Sequence, residues 1–138
     1  MLQLSNNAIE VLNKRYLMRD DNDNVIETPD EMFWRVAKHV AKAEKNLAEI
    51  EWGQKFYDVM SNLEFLPNSP TLRNAGANDG NLSACFVLPI EDSRASIFKT
   101  LSDAVEVQAF GGGTGYNFSH LRPEGSLIKS TKGKSSGP

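Results

Sequence analysis

One thiol, a glycine cluster, a carboxylate pair and a sparse set of cations are the groups in this sequence whose types and spacing could do chemistry. Cys85 lies within Leu82-Ser83-Ala84-Cys85-Phe86-Val87-Leu88. A lone cysteine in an apolar stretch reads most simply as a small buried hydrophobe, and Ala84 and Phe86 carry no charge that would ionise it. The competing reading is a redox thiol whose partner thiol lies outside this chain. With one cysteine in the sequence, an intramolecular disulfide framework and an all-cysteine metal site are excluded. His39 and His120 have no ligand spacing around them, so no metal site is expected, and His39 reads as a surface or boundary residue.

The cluster Gly111-Gly112-Gly113-Thr114-Gly115 could cradle a phosphate, since amides without side chains let an anion approach the backbone. A dinucleotide fingerprint, however, follows a strand and opens a helix. Here the expected order is the reverse, and no Gly-Lys-Ser/Thr is present. The cluster reads as a helix stop with more glycines than a stop requires, which implies close packing of something on the backbone. Glu91-Asp92-Ser93 is either a plain helix cap or a carboxylate placed to bond sugar hydroxyls at a strand end. Arg122, Lys129, Lys132 and Lys134 read as a solvated basic loop; alternatively Asp92 would take a ribose and Arg122 or Lys129 the phosphates of a nucleotide.

These groups must be positioned by a helical first part and a mixed second part. Residues 5–17 predict a short amphipathic helix with Ile9, Leu12 and Tyr16 on one face. The polar stretch 19–24 predicts a solvent turn, and it lacks the glycine and glutamate that a calcium-binding EF-hand loop needs. Thr28-Pro29-Asp30-Glu31 is a helix start with a capping box. Behind it Phe33, Val36, Ala37 and Val40 predict the buried stripe, with Arg35, Lys38 and Lys42 facing out. A further helix is expected over about 47–63, interrupted at Gly53, burying Phe56, Tyr57, Met60 and Leu63. The two prolines in 66–72 argue against helix there, and residues 78–81 read as a turn. Residues 82–88 then predict a buried strand. A helix capped by Ser93 or Ser96 follows, with Ile97, Leu101, Ala104, Val105 and Gln108 along one side, and a second strand is expected at 116–119. From Arg122 on, the chain reads as glycine-, serine- and lysine-rich loop, and 135–138 look like the middle of one. The expected organisation is a helical domain over 1–65 and a strand–helix–strand portion over 66–138.

The 138 residues suit one modest domain. Apolar content of 40%, charged content of 24% and a formal net charge of −3 give no general pull toward nucleic acid or anionic membrane. No apolar run approaches bilayer-spanning length, and the first residues lack the pattern of a signal peptide. A cytoplasmic location is the expectation.

Taken in order, the strings Leu66-Pro67-Asn68-Ser69-Pro70-Thr71-Leu72-Arg73-Asn74-Ala75-Gly76, Leu82 through Ser93, Gly111-Gly112-Gly113-Thr114-Gly115-Tyr116-Asn117-Phe118-Ser119 and Leu121-Arg122-Pro123 closely resemble the large subunit of ribonucleotide reductases. The similarity is greatest to the adenosylcobalamin-dependent class. Leu4-Ser5, Arg15-Tyr16-Leu17 and Glu27-Thr28-Pro29 resemble the start of those enzymes too, so the likeness covers essentially the whole chain. It implies an α+β fragment: an N-terminal helical domain and the first strand–helix–strand elements of the reductase α/β barrel. Cys85 would be one of two thiols that reduce the ribose and finish as a disulfide. Ser69, the Ala84 backbone and Gly113 would contact the substrate ribonucleotide. Asp92, Ser93, Arg122, Ile128 and Lys129 would begin the specificity site for a deoxynucleoside triphosphate effector. A thioredoxin-like reductant and the remainder of the reductase polypeptide would be partners, with room for a homodimer and no role for membrane or nucleic acid.

The radical cysteine, the second redox cysteine, the general-base glutamate and the adenosylcobalamin-binding region of the family have no counterpart in this sequence. The isolated chain is therefore expected to be inactive, and to act as the first part of a split or interrupted reductase. His120 stands where many relatives carry another basic residue, and 131–134 is more basic than the family pattern. The alternatives are a non-catalytic nucleotide-binding or assembly module left by truncation or gene splitting, and a helical adaptor with a glycine-rich linker. The first would bind nucleotide without turnover when joined to the complementary polypeptide.

Overall fold

Capping chemistry and apolar spacing set the helices of the first half, which the computed structural model describes together with the rest over residues 3–44, 48–77, 80–128 and 131–138. Two compact units result, Met1–Ser83 and Ala84–Pro138. The division falls later than the expected 65/66, because Leu72 and Ala75 complete the helical core. Among the described residues no helix is long and apolar enough to cross a membrane.

In the first unit, α1 (Asn6–Arg15) starts at Ser5, whose hydroxyl accepts from the Ala8 amide, and ends with Lys14 and Arg15 in its last turn. Those cations suit the negative end of the helix dipole. The polar stretch is a tight turn: the Asp20 carboxylate accepts from the amides of Asn22 and Asn24 and from the Asn24 side chain. These bonds, that of the Asn24 side chain first, hold the Asp20 carboxyl below its ordinary range.

Helix α2 (Pro29–Ala41) opens with the full capping box. The Thr28 hydroxyl accepts from the Glu31 amide, and the Glu31 carboxylate accepts from the Thr28 amide. Its buried residues are Met32, Phe33, Val36, Ala37 and Ala41. Val40, expected inside, is exposed in the last turn of the helix, while Met32 and Ala41 are buried. Met32 and Phe33, wholly enclosed, each stabilise the fold by about 1.5–3 kcal/mol.

Helix α3 (Ala48–Ser61) runs through Gly53 without the expected interruption. Gly53 is buried beside Ala41, where a Cβ would make only an ordinary contact at 3.8 Å, so the helix accommodates it without a break. Met60 is buried and Phe56 and Tyr57 pack on the core. Leu63 is not core: it is exposed, with φ of +60° past the helix end. Tyr57 stacks on Trp34 with ring centroids 4.1 Å apart and donates to Asp30 at 2.6 Å. That bond to a carboxylate raises the phenol pKa.

Residues 66–72 were expected to be non-helical, yet Ser69–Asn74 form α4. Asn68 caps it, accepting from the Thr71 amide, and Pro70 falls in the first turn, where an amide hydrogen has no intrahelical partner to lose. Arg35 is also a correction. Instead of facing out it is 9% exposed and forms a two-pronged pair with Glu27, itself 7% exposed, at 2.7 and 3.0 Å. The same guanidinium donates to the carbonyls of Ala75 and Leu72 at the end of α4, while Glu27 also accepts from the Met18 amide. A planar five-donor fork suits this task as an ammonium would not.

The second unit is a β–α–β unit. β1 (Cys85–Leu88) pairs in parallel with β2 (Gly113–Tyr116) across α5 (Arg94–Ala109). Three expectations shift here. The first strand covers 85–88 only and is open to solvent: Cys85 is exposed and Val87 is 82% exposed. The second strand is built from the glycines at 113–116, and Phe118–His120 is a 3-10 turn. Helix α5 buries Thr100 and Ala104 toward the strands, whereas Ile97, Leu101 and Val105 are exposed. Thr100 fixes this rotation by donating to the Pro89 carbonyl at 2.6 Å, directly after β1.

Candidate functional site

Parallel register places Cys85 opposite Gly113, Phe86 opposite Thr114 and Val87 opposite Gly115. Successive side chains of a strand point to opposite faces. The Gln108 amide of α5 donates to the Thr114 hydroxyl at 3.0 Å, so Phe86 and Thr114 face the helix. Cys85 and Gly113 therefore share the other face, which α5 leaves open. A Cβ built on Gly113 would lie 3.9 Å from the Cys85 sulfur and 3.6 Å from the Ala84 carbonyl oxygen. That carbonyl already accepts from the Gly113 amide at 2.8 Å. The thiol is thus accessible and stands next to bare backbone.

The three consecutive glycines have different causes. Gly111 has φ of +78°, the left-handed turn that ends α5. At Gly112 a Cβ would come within 2.7 Å of the Val107 side chain and 3.0 Å of the Phe86 ring. Gly113 has neither constraint: its φ is ordinary and a Cβ would meet only van der Waals neighbours. The chain's own packing does not require that glycine.

At the other end of β1, Ser93 caps α5 by accepting from the Ser96 amide. Asp92 accepts from the Arg122 guanidinium at 2.6 Å, both about one-third exposed (36% and 35%). His120 lies 3.2 Å from Glu91. Two expected effector residues, Asp92 and Arg122, are thereby brought together. Ile128 lies in a small hairpin in which Leu127 bridges Lys134 and the Ile128 amide donates to Gly133. Lys129 lies outside the described residues.

Ser69 belongs to the helical unit, as first residue of α4. Its hydroxyl is 2.9 Å from that of Tyr16, a partner 53 residues away. Sequence reasoning gave Tyr16 only a packing role, because nothing local signals a bond of that span. Among the described residues no group of three or more His, Cys, Asp or Glu side chains could hold a metal ion.

Comparison with known proteins divides the chain at nearly the same point. Residues 2–80 match the family model described as ribonucleotide reductase, all-alpha domain, and residues 83–138 that described as ribonucleotide reductase, barrel domain. A vitamin B12-dependent ribonucleoside-diphosphate reductase of Mycobacterium tuberculosis is 51% identical over 99% of this chain and 20% of the relative. The protein of that name from Thermoplasma acidophilum is 35% identical over 99% of this chain and 25% of its own length. A ribonucleoside-diphosphate reductase subunit alpha of Chlamydia muridarum is 35% identical over 99% of this chain and 13% of its own length. The chain thus spans a quarter or less of the length of these relatives. With both units matched in order and nearly every residue covered, the chain belongs to the ribonucleotide reductase family, contributing its all-alpha domain and the beginning of its barrel.

Proposed function

We propose that this chain is the N-terminal part of a reductase that converts ribonucleoside diphosphates to deoxyribonucleotides, and that it works only when joined to the remaining barrel. The observation that carries the reading is the shared open face of the Cys85 sulfur and the backbone of Gly113. Cys85 is one of two thiols, the second supplied by the remaining polypeptide. The pair delivers two electrons and two protons as the ribose 2′ hydroxyl leaves as water, and ends as a disulfide. A thioredoxin-like dithiol restores it by exchange, which requires an accessible sulfur. Ser69, the Ala84 backbone and Gly113 hold the substrate. The diphosphate is supported by the names of the relatives.

Asp92, Ser93, Arg122, Ile128 and Lys129 begin the effector site. The Asp92–Arg122 pair supports this, since it sets a carboxylate for a ribose beside a guanidinium for phosphate. Two of the relatives are named for vitamin B12, and adenosylcobalamin is the radical-generating cofactor of this reading. On this reading the residues that bind it belong to the remaining reductase polypeptide. The exposed apolar residues Val87, Phe98, Leu101 and Val105 suit burial beneath the rest of the barrel.

The test is deoxynucleotide formation by the enzyme assembled from this chain and the remaining reductase polypeptide. With a dithiol reductant, Cys85→Ser brings turnover to background while ribonucleoside diphosphate still binds. Retained turnover removes Cys85 from the thiol pair.

A further inference from the structure

We propose that Tyr16 is a positioning residue for the substrate: its hydroxyl orients that of Ser69 so that the Ser69 proton points to a phosphate oxygen of the ribonucleotide. This rests on Ser69 being a substrate contact. Tyr16 is the C-cap of α1, with its ring half-buried against the helical core, so its hydroxyl is fixed in place. It lies 2.9 Å from the Ser69 hydroxyl. Ser69 is exposed and is not spent on capping α4, because Asn68 does that by accepting from the Thr71 amide.

A serine hydroxyl has one proton to donate and two lone pairs. Either hydroxyl can donate in this pair; we take the phenol, the more acidic type of group, as donor and Ser69 as acceptor. The Ser69 proton is then free, and hydrogen bonds in series polarise one another. What this arrangement recognises is an anionic acceptor. Near Tyr16, Lys14, Arg15, Arg19 and Arg73 line a cavity of about 300 Å³ that does not include Ser69, so they favour a nearby anion through their field rather than through shared contacts. Glu10 and Asp23 neutralise Lys14 and Arg19 only in part, from exposed positions.

The experiment is a double-mutant cycle in the assembled reductase, reading KM for ribonucleoside diphosphate, kcat and thermal unfolding for Tyr16→Phe, Ser69→Ala and the double variant. Phe keeps the ring and removes only the hydroxyl. Tyr16→Phe is expected to raise KM about 3- to 10-fold, the worth of one hydrogen bond, with a smaller effect on kcat. It is expected to add nothing further once Ser69 is Ala, and Ser69→Thr, which keeps the hydroxyl, should preserve the Tyr16 effect. If Ser69→Ala raises KM but Tyr16→Phe does not, the positioning role is overturned and Ser69 stays a contact. An unchanged KM in Ser69→Ala overturns the substrate reading of Ser69 and this inference with it. If the two changes add in full, alongside a lower unfolding temperature for Tyr16→Phe, Tyr16 acts through packing and the proposal fails.

Discussion

The helical unit and the β–α–β unit solve their packing in opposite ways. Met1–Ser83 encloses its own core around Met32, Phe33 and Val36, and satisfies even an interior guanidinium. In Ala84–Pro138 the buried hydrophobics are Ile90 and Ala104, while Val87, Phe98, Leu101 and Val105 lie open. The first has an enclosed core of its own, although Ile26, Ile50, Phe65 and Leu66 remain exposed on it; the second has little core among the described residues, and its open apolar residues suit burial beneath other polypeptide. The residues that could do chemistry are shared unevenly, with Ser69 on the helical unit. Cys85, Gly113, Asp92 and Arg122 all sit on the unfinished unit.

The comparison breaks most severely at Arg35. Arg35→Ala leaves the Glu27 carboxylate without its countercharge and strips two carbonyls at the end of α4. Loss of one partner of an interior pair costs about 3–5 kcal/mol, so denaturant unfolding followed by circular dichroism should show a large loss of helix stability. A loss as small as that of a surface ion pair would mean that the helical unit is less closed than described.

A gentler pair of changes sharpens the contrast within the glycines. Gly112→Ala forces a methyl against Val107 and Phe86, an overpacking that costs about 1–3 kcal/mol. Gly113→Ala should leave unfolding unchanged or raise stability by about 0.4–1 kcal/mol, yet impair turnover of the assembled enzyme by filling space beside the sulfur. Equal effects on stability would erase the distinction between the two positions.

The smallest effect lies at the start of α2. Thr28→Ala should cost about 1 kcal/mol. The Thr28 amide and then its hydroxyl hold the Glu31 carboxyl below its ordinary value of 4.5. A depressed folded-state pKa means that this contribution is whole above 4.5 and fades as pH falls through the lower folded value. Thr28→Ala keeps the amide, the larger cause, and loses only the hydroxyl's share, so the stability difference from the parent should shrink only slightly on acidification through that window, read from unfolding at stepped pH.

Much of the helical unit is legible in the sequence because its signals are local. The Ser5 cap, the Thr28–Glu31 box and the Phe33, Val36 and Ala37 spacing all act within a turn or two. The misreadings have physical causes. Pro70 argues against a helix interior but is welcome in a first turn, which hid α4. Arg35 carries the type of a surface residue, and only Glu27, Leu72 and Ala75 in three dimensions reveal it as interior. The stripe on α5 was assigned by counting apolar residues, yet its rotation is set by Thr100 bonding to Pro89. For the site, the sequence already pairs Asp92 with Arg122 or Lys129 around one nucleotide, and the structure adds the direct Asp92–Arg122 ion pair. The excess of glycines was visible, but which of them lacks a conformational or steric reason was not.

The parallel pairing of β1 with β2 also has a kinetic consequence. Two such strands cannot meet through a tight turn; the connection that holds α5 must cross over for the ladder to close. Contacts of that separation form slowly, and until more strands arrive each outer edge offers unpaired amides and carbonyls to any passing chain. Newly made protein would thus carry a settled helical head attached to a tail with open strand edges, the part more prone to aggregation.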